Sequence, residues 1–414
     1  MSSLYHRRDT CRLCAGMDLT SVLSLTPTPP ANAFVSEAAL DKPQDVFPLD
    51  LFFCEKCSHL QLLDVVDPSV LFADYVYVSG TSPVFVAHFN DYADSVIKRF
   101  QPNTGDFVLD IGSNDGTLLG FFKNAGMTVL GVDPARDIAV QANKNGVETI
   151  TDFFTPSLAK KILAEKGYAQ IITANNVFAH ADDLAGIAQG TRELLAPSGV
   201  FVFEVSYFLD VYEQTLFDTI YHEHLAYHTV KPLISFFQSH DLELIEAERV
   251  SSHGGSLRGI VQHAGGPHRV GASVAQRLSE EKSLKLDNSE TLQQFAVKID
   301  TIKQELTALL DDFKGQGKSI AGFGAPAKAT TLMYHFGLGA DVVDFVVDDS
   351  PLKQGLYTPG QHIPVVPSSV LYDRMPDYAL ILAWNFAEPI MNNHEKFQQA
   401  GGKFIVPLPN VQVH

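Results

Sequence analysis

The chain has 414 residues, of which 45% are hydrophobic and 19% are charged, and its formal net charge is −18. This length is too great for one hydrophobic core and predicts two or three domains. The acidic balance argues against a surface for nucleic acid or anionic membranes, and no apolar run is long enough to span a bilayer. An anionic small molecule stays compatible with this charge, because it needs only a local pocket of N–H groups and a cation.

The chain begins with two C-x-x-C pairs, Cys11/Cys14 and Cys54/Cys57, and has no other cysteine. Two such turns can direct four sulfur atoms at one point, so the spacing predicts a structural zinc ion bound by all four. Four thiolates leave no open coordination position for catalysis. Two disulfides or a redox motif fit less well, because the chain opens with no apolar signal segment, which also points to the cytoplasm.

The region around these pairs shows little helix periodicity. It contains a proline-rich stretch, residues 26–32, that is typical of a polyproline-like loop, and a strand-like stretch at 47–53. Such a small domain has too little apolar core to be stable without its ion. A strand-to-loop passage at 75–82 and an amphipathic helix, Pro83–Phe100, then lead into a new domain.

From residue 107, short apolar strands alternate with helical stretches, which indicates an α/β fold with a mainly parallel sheet. The predicted strands are Phe107–Ile111, Thr128–Val132, 148–150, 170–174, 200–205, 242–247 and 257–262, the last two as a candidate antiparallel hairpin. A charged, helix-periodic stretch at 278–313 predicts a connector. A second alternation has strands at 319–322, 342–347, 378–382 and Lys403–Val406. The predicted domains are 1–74, 75–266 and 267–414.

A glycine-rich turn follows the first strand of the larger sheet. Asp110 precedes Gly112, Asn114 and Gly116, and a helix begins next. Glycines allow a ligand to approach the backbone closely, and the helix N-terminus presents free N–H groups. Asp133 ends the following strand, where a carboxylate can accept both hydroxyls of a ribose.

Two ligands compete for this turn. A dinucleotide prefers G-x-G-x-x-G, whereas this turn contains an acidic residue where a pyrophosphate would lie. An acid suits the cationic amino-acid end of S-adenosylmethionine, so this donor is favoured over a dinucleotide and over a purely structural turn. The predicted donor-binding residues are Asp110, Gly112, Asn114, Gly116, Asp133, Phe153, Asn175 and Asn176.

The densest polar run is Tyr221-His222-Glu223-His224. Histidine titrates near neutrality and suits proton abstraction, a carboxylate can orient its ring, and a tyrosine can stabilise an enolate. Two histidines two positions apart cannot share a helix face, which argues against a second metal ion. A solvated loop is the other alternative. His180 follows the fourth strand. It is either part of the ligand site at the carboxyl edge of the sheet or a histidine at a helix start that bonds to the backbone.

Two further positions are candidate anion contacts. Lys328 ends a second glycine turn, residues 322–328, whose free N–H groups and ammonium could receive a pyrophosphate. The alternative is a tight packing turn in an α/β lobe. Arg258 is the second candidate and lies at the start of a predicted strand. The alternative interpretation is a hairpin turn with an exposed arginine.

In this order, the cysteine pairs, the Asp110–Gly116 turn and the Tyr-His-Glu-His run resemble the sugar C-methyltransferases of deoxysugar biosynthesis. The resemblance runs essentially end to end and includes residues 322–328 and the Ala-Trp-Asn run at 383–385. These enzymes contain zinc and use S-adenosylmethionine to methylate C3 of a nucleotide-linked 4-keto sugar.

The resemblance implies a zinc-binding domain, a Rossmann-like class I methyltransferase core and a C-terminal nucleotide-binding-like domain for the sugar nucleotide. It implies that His224 is the general base, with Tyr221 and Glu223 beside it. His180 and Tyr75 are further catalytic candidates. Lys328, Arg258 and Tyr77 are candidate contacts of a nucleotide-diphosphate 4-keto-deoxysugar, and Tyr77 competes with Tyr75 for its place. A monomer is implied.

Three functions are therefore compared. The first is a sugar C-methyltransferase. The second is an NAD(P)-dependent oxidoreductase, against which the acidic turn argues. The third is a catalytically inactive zinc-containing binding protein, against which the intact glycine turn, Asp133 and the Tyr-His-Glu-His run argue.

Overall fold

The computed structural model describes residues 4–72, 80 and 83–414. Tyr75 and Tyr77, with most of the passage predicted at 75–82, lie outside the described residues. Within the described part of the chain the strands form four sheets, of two, four, seven and six strands.

The N-terminal strands form a short ribbon and a small antiparallel sheet. They are β1 (Tyr5–Arg7), β2 (Leu19–Thr28), β3 (Phe47–Cys54), β4 (Leu60–Leu62) and β5 (Asp64–Val66). β1 pairs with β5, and β3 lies between β2 and β4. The strand predicted at 47–53 is confirmed. The loop predicted at 26–32 is wrong over its first residues, because β2 lies at a sheet edge, where a strand tolerates Pro27, which has no N–H to donate.

Two helices, α1 (Pro68–Phe72) and α2 (Pro83–Phe100), precede the central sheet. The predicted bounds of α2 are confirmed. Its buried face carries Phe89, Tyr92, Ala93 and Val96, spaced three and four residues apart as one side of a helix requires. These side chains pack in one apolar cluster with residues of the central strands, and this packing fixes α2 against the sheet.

The central domain alternates strands and helices as predicted. Its elements are β6 (Phe107–Ile111), α3 (Thr117–Asn124), β7 (Thr128–Val132), α4 (Arg136–Lys144), β8 (Thr149–Ile150), α5 (Pro156–Lys166), β9 (Ala169–Asn175), α6 (Leu184–Leu194), β10 (Leu195–Ser206), α7 (Phe208–Gln214), β11 (Ala226–Tyr227), α8 (Val230–Ser239), β12 (Leu242–Val250) and β13 (Ser256–His263).

The strand order of the seven-stranded sheet is β12-β13-β10-β9-β6-β7-β8. β13 is antiparallel to both neighbours, which confirms the edge hairpin, and the other pairs are parallel. The chain leaves β6 towards β7 on one side and returns to β9 on the other. The carboxyl ends of β6 and β9 therefore form a topological switch point, where open α/β sheets bind ligands. β11 instead joins β4 in the N-terminal sheet.

The connector is two helices, α9 (Ala272–Ser283) and α10 (Ser289–Gly315). The single helical stretch predicted at 278–313 is wrong in this respect. Lys285 has a φ of 54°, and the side chain of Asn288 caps α10 by accepting the Glu290 N–H at 2.8 Å. An asparagine cap thus divides the stretch without glycine or proline. No helix in the described ranges is both long and apolar enough to cross a membrane.

The C-terminal lobe is a second α/β unit. It comprises β14 (Ile320–Phe323), α11 (Ala327–Phe336), β15 (Val346–Val347), β16 (Val365–Val366), α12 (Val370–Arg374), β17 (Tyr378–Ile381), α13 (Ala387–Asn393), α14 (Glu395–Gln399), β18 (Lys403–Val406) and β19 (Gln412–Val413). The sheet order is β16-β15-β14-β17-β18-β19, parallel except for β19. The strand predicted at 342–347 is shorter, because Val342 N–H turns back to the Gly339 carbonyl. The predicted fold class is confirmed.

Candidate active site

The first glycine turn lies at the switch point of the central sheet. Its residues Gly112, Asn114 and Gly116 all have positive φ, at 69°, 48° and 80°. A Cβ on Gly112 would lie 2.2 Å from a methyl group of Val177, so only glycine fits there. The turn thus folds tightly over the residues that follow β9, and the N–H groups of Gly112 and Gly116 donate to the Val132 and Ser113 carbonyls.

Asp133, at the end of β7, fixes the shape of this turn. Its Oδ2 accepts the Asn114 N–H and its Oδ1 accepts the Ala135 N–H, each at 2.8 Å. Burial raises its pKa, while these two hydrogen bonds oppose that shift. Because an ionised carboxylate has about four acceptor positions, Asp133 keeps capacity for ligand hydroxyls. Asp110 is also buried, accepts the Thr173 hydroxyl at 2.6 Å and has its pKa raised to about 7 by burial.

A cavity of about 480 Å³ lies above the carboxyl edge of this sheet. Its size is in the range of sites for small molecules and cofactors. The predicted residues that line it are Asp110, Gly112, Asn114, Asp133, Phe153, Asn175, Asn176, His180 and Glu223. Gly116 does not line it; a Cβ there would meet Val147 at 2.9 Å, so this glycine serves helix packing. The exposed ring of Phe153 forms part of the wall.

His224 lies beside this cavity in a defined orientation. Its Nδ1 is 2.8 Å from the Thr219 carbonyl oxygen, which can only accept, so Nδ1 carries the proton and Nε2 is the unprotonated nitrogen of the neutral ring. The Tyr221 ring centre is 4.1 Å from the His224 ring centre, and His180 contacts His224 edge-on at 4.8 Å. The structure therefore brings His180, Tyr221 and His224 together.

The other members of the polar run have different surroundings. His222 is buried against the Phe47 carbonyl at 3.2 Å, and burial lowers its pKa to about 4. Glu223 is also buried at the cavity wall; it accepts the Asn32 amide N–H at 3.2 Å, and burial raises its pKa to about 7. Both residues line the cavity: His222 has a ring held by the Phe47 carbonyl, whereas Glu223 is a carboxyl group that can hold a proton near neutral pH.

The four cysteines form a separate cluster. Their sulfur atoms all lie within 4.8 Å of one another, with 3.6 Å between Cys11 and Cys57 and 3.5 Å between Cys14 and Cys54. These separations exceed the disulfide bond length of about 2.05 Å and are close to the edge of about 3.8 Å in a tetrahedral zinc–thiolate cage. Among the described residues it is the one group of side chains with metal-ligand geometry, so the His-Glu-His run forms no second cluster.

Three family models match the chain in succession. "Putative zinc binding domain" covers residues 11–72, "Methyltransferase domain" covers 85–248 and "C-methyltransferase C-terminal domain" covers 251–409. The C-methyltransferase NovU of Streptomyces niveus is 35% identical over 413 residues, which span 100% of this chain and 98% of that protein.

The chain belongs to the C-methyltransferase family. It is an S-adenosylmethionine-dependent enzyme, and the family predicted from the sequence is confirmed. Two solved structures overlap part of it: a methyltransferase from Anabaena variabilis (18% identity, 46% of this chain and 90% of that one, TM-score 0.37) and CcbJ from Streptomyces caelestis (15%, 48% and 96%, 0.36).

In this C-methyltransferase the two candidate anion contacts bind internal partners. Arg258 donates from Nε to Glu204 Oε2 at 2.9 Å, and its Nη2 lies 2.8 Å from the same oxygen. Its guanidinium carbon lies 4.4 Å from the centre of the Tyr92 ring. Lys328 Nζ lies 3.5 Å from Asp218 and 4.1 Å above the Trp384 ring. Both cations are thus largely engaged within the fold, and their contact with a substrate stays a prediction.

The second glycine turn repeats the arrangement of the first. Asp348, at the end of β15, accepts the Ala325 N–H at 2.6 Å and the Ser350 N–H at 2.8 Å, as Asp133 does in the central domain. A small pocket beside this turn is lined by Phe34 of the N-terminal region. The N–H of Ala325 is therefore occupied, and Phe34 lies where the turn could otherwise be approached.

The buried carboxyl group of Glu223 gives the C-methyltransferase a pH-dependent stability. Its folded pKa lies above its usual value, so folding takes up a proton and stability falls as the pH rises from about 4.5 to about 7. Glu223→Gln removes this penalty. We expect the variant to be more stable than wild type by about 2–3 kcal/mol at pH 8 and the difference to shrink towards pH 5.5, as measured by urea unfolding.

The matched control is Glu395→Gln on the exposed face of α14, which changes the net charge equally. Its unfolding free energy should follow that of wild type at every pH. A Glu223→Gln effect that is the same at pH 5.5 and pH 8 would show that this carboxyl group titrates as it does in the unfolded chain.

Proposed function

We propose that the enzyme methylates C3 of a nucleotide-linked 4-keto-deoxysugar through a base-generated enolate. The observation that carries the proposal is the orientation of His224, whose unprotonated Nε2 belongs to a ring in edge contact with His180 at the cavity wall. A methyl transfer to carbon needs a carbanion, and a base next to the donor cavity is the group that can generate one.

The chemistry requires both a base and a carbonyl group. His224 Nε2 removes the C3 proton, and the electrons of that C–H bond pass through C3 to the C4 ketone oxygen to give an enolate. The rings of Tyr221 and His180 both contact the His224 ring. From there the tyrosine hydroxyl or the imidazole N–H can stabilise the developing oxyanion. Glu223, at the cavity wall, is a carboxyl group that can also hold a proton.

Bound S-adenosylmethionine supplies an electrophilic methyl group, and S-adenosylhomocysteine leaves with the electron pair of the broken C–S bond. We propose that Asp133 accepts the ribose hydroxyls, that Phe153 lies against the adenine, and that the acidic edge at Asp110 faces the amino-acid end. The turn at Gly112 and Asn114 holds the donor against the sheet. Rigid placement of both substrates supplies much of the rate, because carbon and methyl must meet in line.

We further propose that the four cysteines bind one structural zinc ion and that the domains divide at 1–74, 75–266 and 267–414. Four thiolates complete a tetrahedral shell, so this ion would take no part in proton or methyl transfer.

The sugar nucleotide would lie between the central domain and the C-terminal lobe, where Lys328 and Arg258 are the candidate cations.

The direct test is an assay with purified enzyme, S-adenosylmethionine and 4-keto-6-deoxyhexoses linked to thymidine or guanosine diphosphate. We expect mass gain of one methyl group at C3, located by NMR, and no reaction with the corresponding 4-hydroxy sugars, which cannot form the enolate. Titration with NAD and NADP serves as the control and should show no tight binding. Methylation of the 4-hydroxy sugars, or of an oxygen atom, would contradict the enolate mechanism.

A further inference from the structure

The segment that carries Tyr221 and His224 is held from the C-terminal lobe. The Thr331 hydroxyl on α11 donates to the Ile220 carbonyl at 2.8 Å. The Trp384 indole N–H, beyond β17, donates to Asp218 Oδ2 at 2.6 Å. Both donors lie more than 100 residues downstream of the segment, so the lobe reaches back onto it through two separate side chains.

Asp218 is the strongest of these connections. Its side chain has no exposed area, and Lys328 Nζ lies 3.5 Å from Oδ2 and 4.1 Å above the Trp384 ring. A buried carboxylate is costly unless a cation and hydrogen-bond donors accompany it. Trp384 and Lys328 both come from the C-terminal lobe, so this lobe supplies the N–H donor and the cation that accompany the buried Asp218 carboxyl group.

These contacts act on the residue that orients the base. Thr219 provides the carbonyl oxygen that accepts the His224 Nδ1–H at 2.8 Å. It lies between Asp218 and Ile220, and each of these neighbours is held by the C-terminal lobe. The direction of the Thr219 carbonyl is therefore fixed on both sides. That direction selects both the ring plane and the tautomer of His224.

We propose that Asp218, Thr331 and Trp384 are positioning residues for His224, which makes the C-terminal lobe part of the proton-transfer apparatus as well as a sugar-nucleotide lobe. The inference rests on the proposed function, because it assumes that His224 is the base. It assigns a role to three residues that are not proposed to touch either substrate, and it gives a reason for the contact of Lys328 and Trp384 with the central domain.

The test uses two variants of the full chain, Thr331→Val and Trp384→Phe. Each removes one hydrogen-bond donor; Thr331→Val keeps the side-chain volume, whereas Trp384→Phe also leaves a smaller ring beneath Lys328. With a thymidine-diphosphate-linked 4-keto-6-deoxyhexose as acceptor, kcat should fall about 10- to 100-fold, because small displacements of a catalytic group are that costly. The KM for S-adenosylmethionine should stay within twofold. Thr307→Val is the control, since it removes a hydroxyl that donates to the Lys303 carbonyl at 2.8 Å on α10.

A second measurement separates positioning from loss of stability. Exchange of the acceptor's C3 proton with D₂O, with S-adenosylhomocysteine in the donor site, reports on the base without methyl transfer. At temperatures where all variants are folded, exchange should slow by the same factor as kcat in both variants. Exchange and kcat at wild-type rates, with only the melting temperature lowered, would overturn the inference and leave the proposed function intact. Normal exchange by His224→Asn would instead show that His224 is not the base; this would overturn the inference, while the exchange itself would still support an enolate formed at C3.

Discussion

Replacing His224 with asparagine is expected to lower the rate of methyl transfer by about 10³-fold or more, since general-base groups contribute on this scale. The asparagine amide can still donate to the Thr219 carbonyl in place of Nδ1–H, but it has no basic nitrogen. The affinity for S-adenosylhomocysteine should stay within about twofold of wild type by isothermal titration, because the proposed donor contacts lie on the glycine turn and Asp133.

His240→Asn is the matched control for this substitution. His240 also donates its Nδ1–H to a backbone carbonyl, that of Phe236 at 2.9 Å, and its ring centre lies 4.6 Å from the Phe236 ring centre, but it lies at the end of α8. It should keep wild-type turnover. Near-normal turnover by the His224 variant would remove this imidazole from the mechanism and direct attention to its neighbour His180.

The fold was predictable because its pattern is local. Apolar strands that alternate with helical stretches identify a doubly wound sheet, and the bounds of β6, β7, α2 and β18 follow from hydrophobicity alone. The incorrect predictions of element bounds occur where tertiary contacts determine the local structure. The break between α9 and α10 depends on an asparagine cap, and β2 continues through Pro27 because its outer edge needs no donor.

The candidate site was predictable only as far as residue type and spacing reach. Glycine turns and a Tyr-His-Glu-His run are visible in the sequence, but burial is not. His222 and His224 look alike in the sequence, yet one lies in the core against Phe47 and the other lies beside His180.

Contacts between distant segments left no sequence signal. Asn32 donates to Glu223 across 191 residues, and Trp384 donates to Asp218 across 166 residues. Neither pair has a local pattern, because the fold alone brings these residues together. The Ala-Trp-Asn run was visible as part of a resemblance, but the contact of Trp384 with Asp218 was not.

The cysteine cluster is connected to the candidate site by two routes. Arg12, between the first two cysteines, is buried and donates to Asp182 at 3.1 Å, and Asp182 lines the cavity two residues after His180. β11, which follows His224 closely, pairs with β4 of the cysteine-bearing sheet. The N-terminal region that the four cysteines would hold together therefore contacts the chain after His180 through Arg12 and the chain after His224 through β4.

Removal of the proposed zinc ion is consequently expected to affect the site as well as the N-terminal sheet. Cys54→Ser removes one thiolate of the four, and structural zinc contributes about 10 kcal/mol or more, comparable with the whole stability of a domain. We expect wild-type protein to contain one zinc ion per chain by elemental analysis and the variant to contain far less. Amide hydrogen exchange should become fast in β2, β3, β4 and β11 while β14 and β17 stay protected.

The control is Glu55→Gln, which changes an exposed residue between Cys54 and Cys57 and leaves all four sulfur atoms in place. It should retain one zinc ion and wild-type exchange. A Cys54→Ser protein with full zinc content, or a chelator-treated wild type whose β2–β4 amides exchange as slowly as before, would contradict the structural role. Faster exchange confined to the C-terminal sheet would also contradict the structural role, because that sheet contains none of the four cysteines.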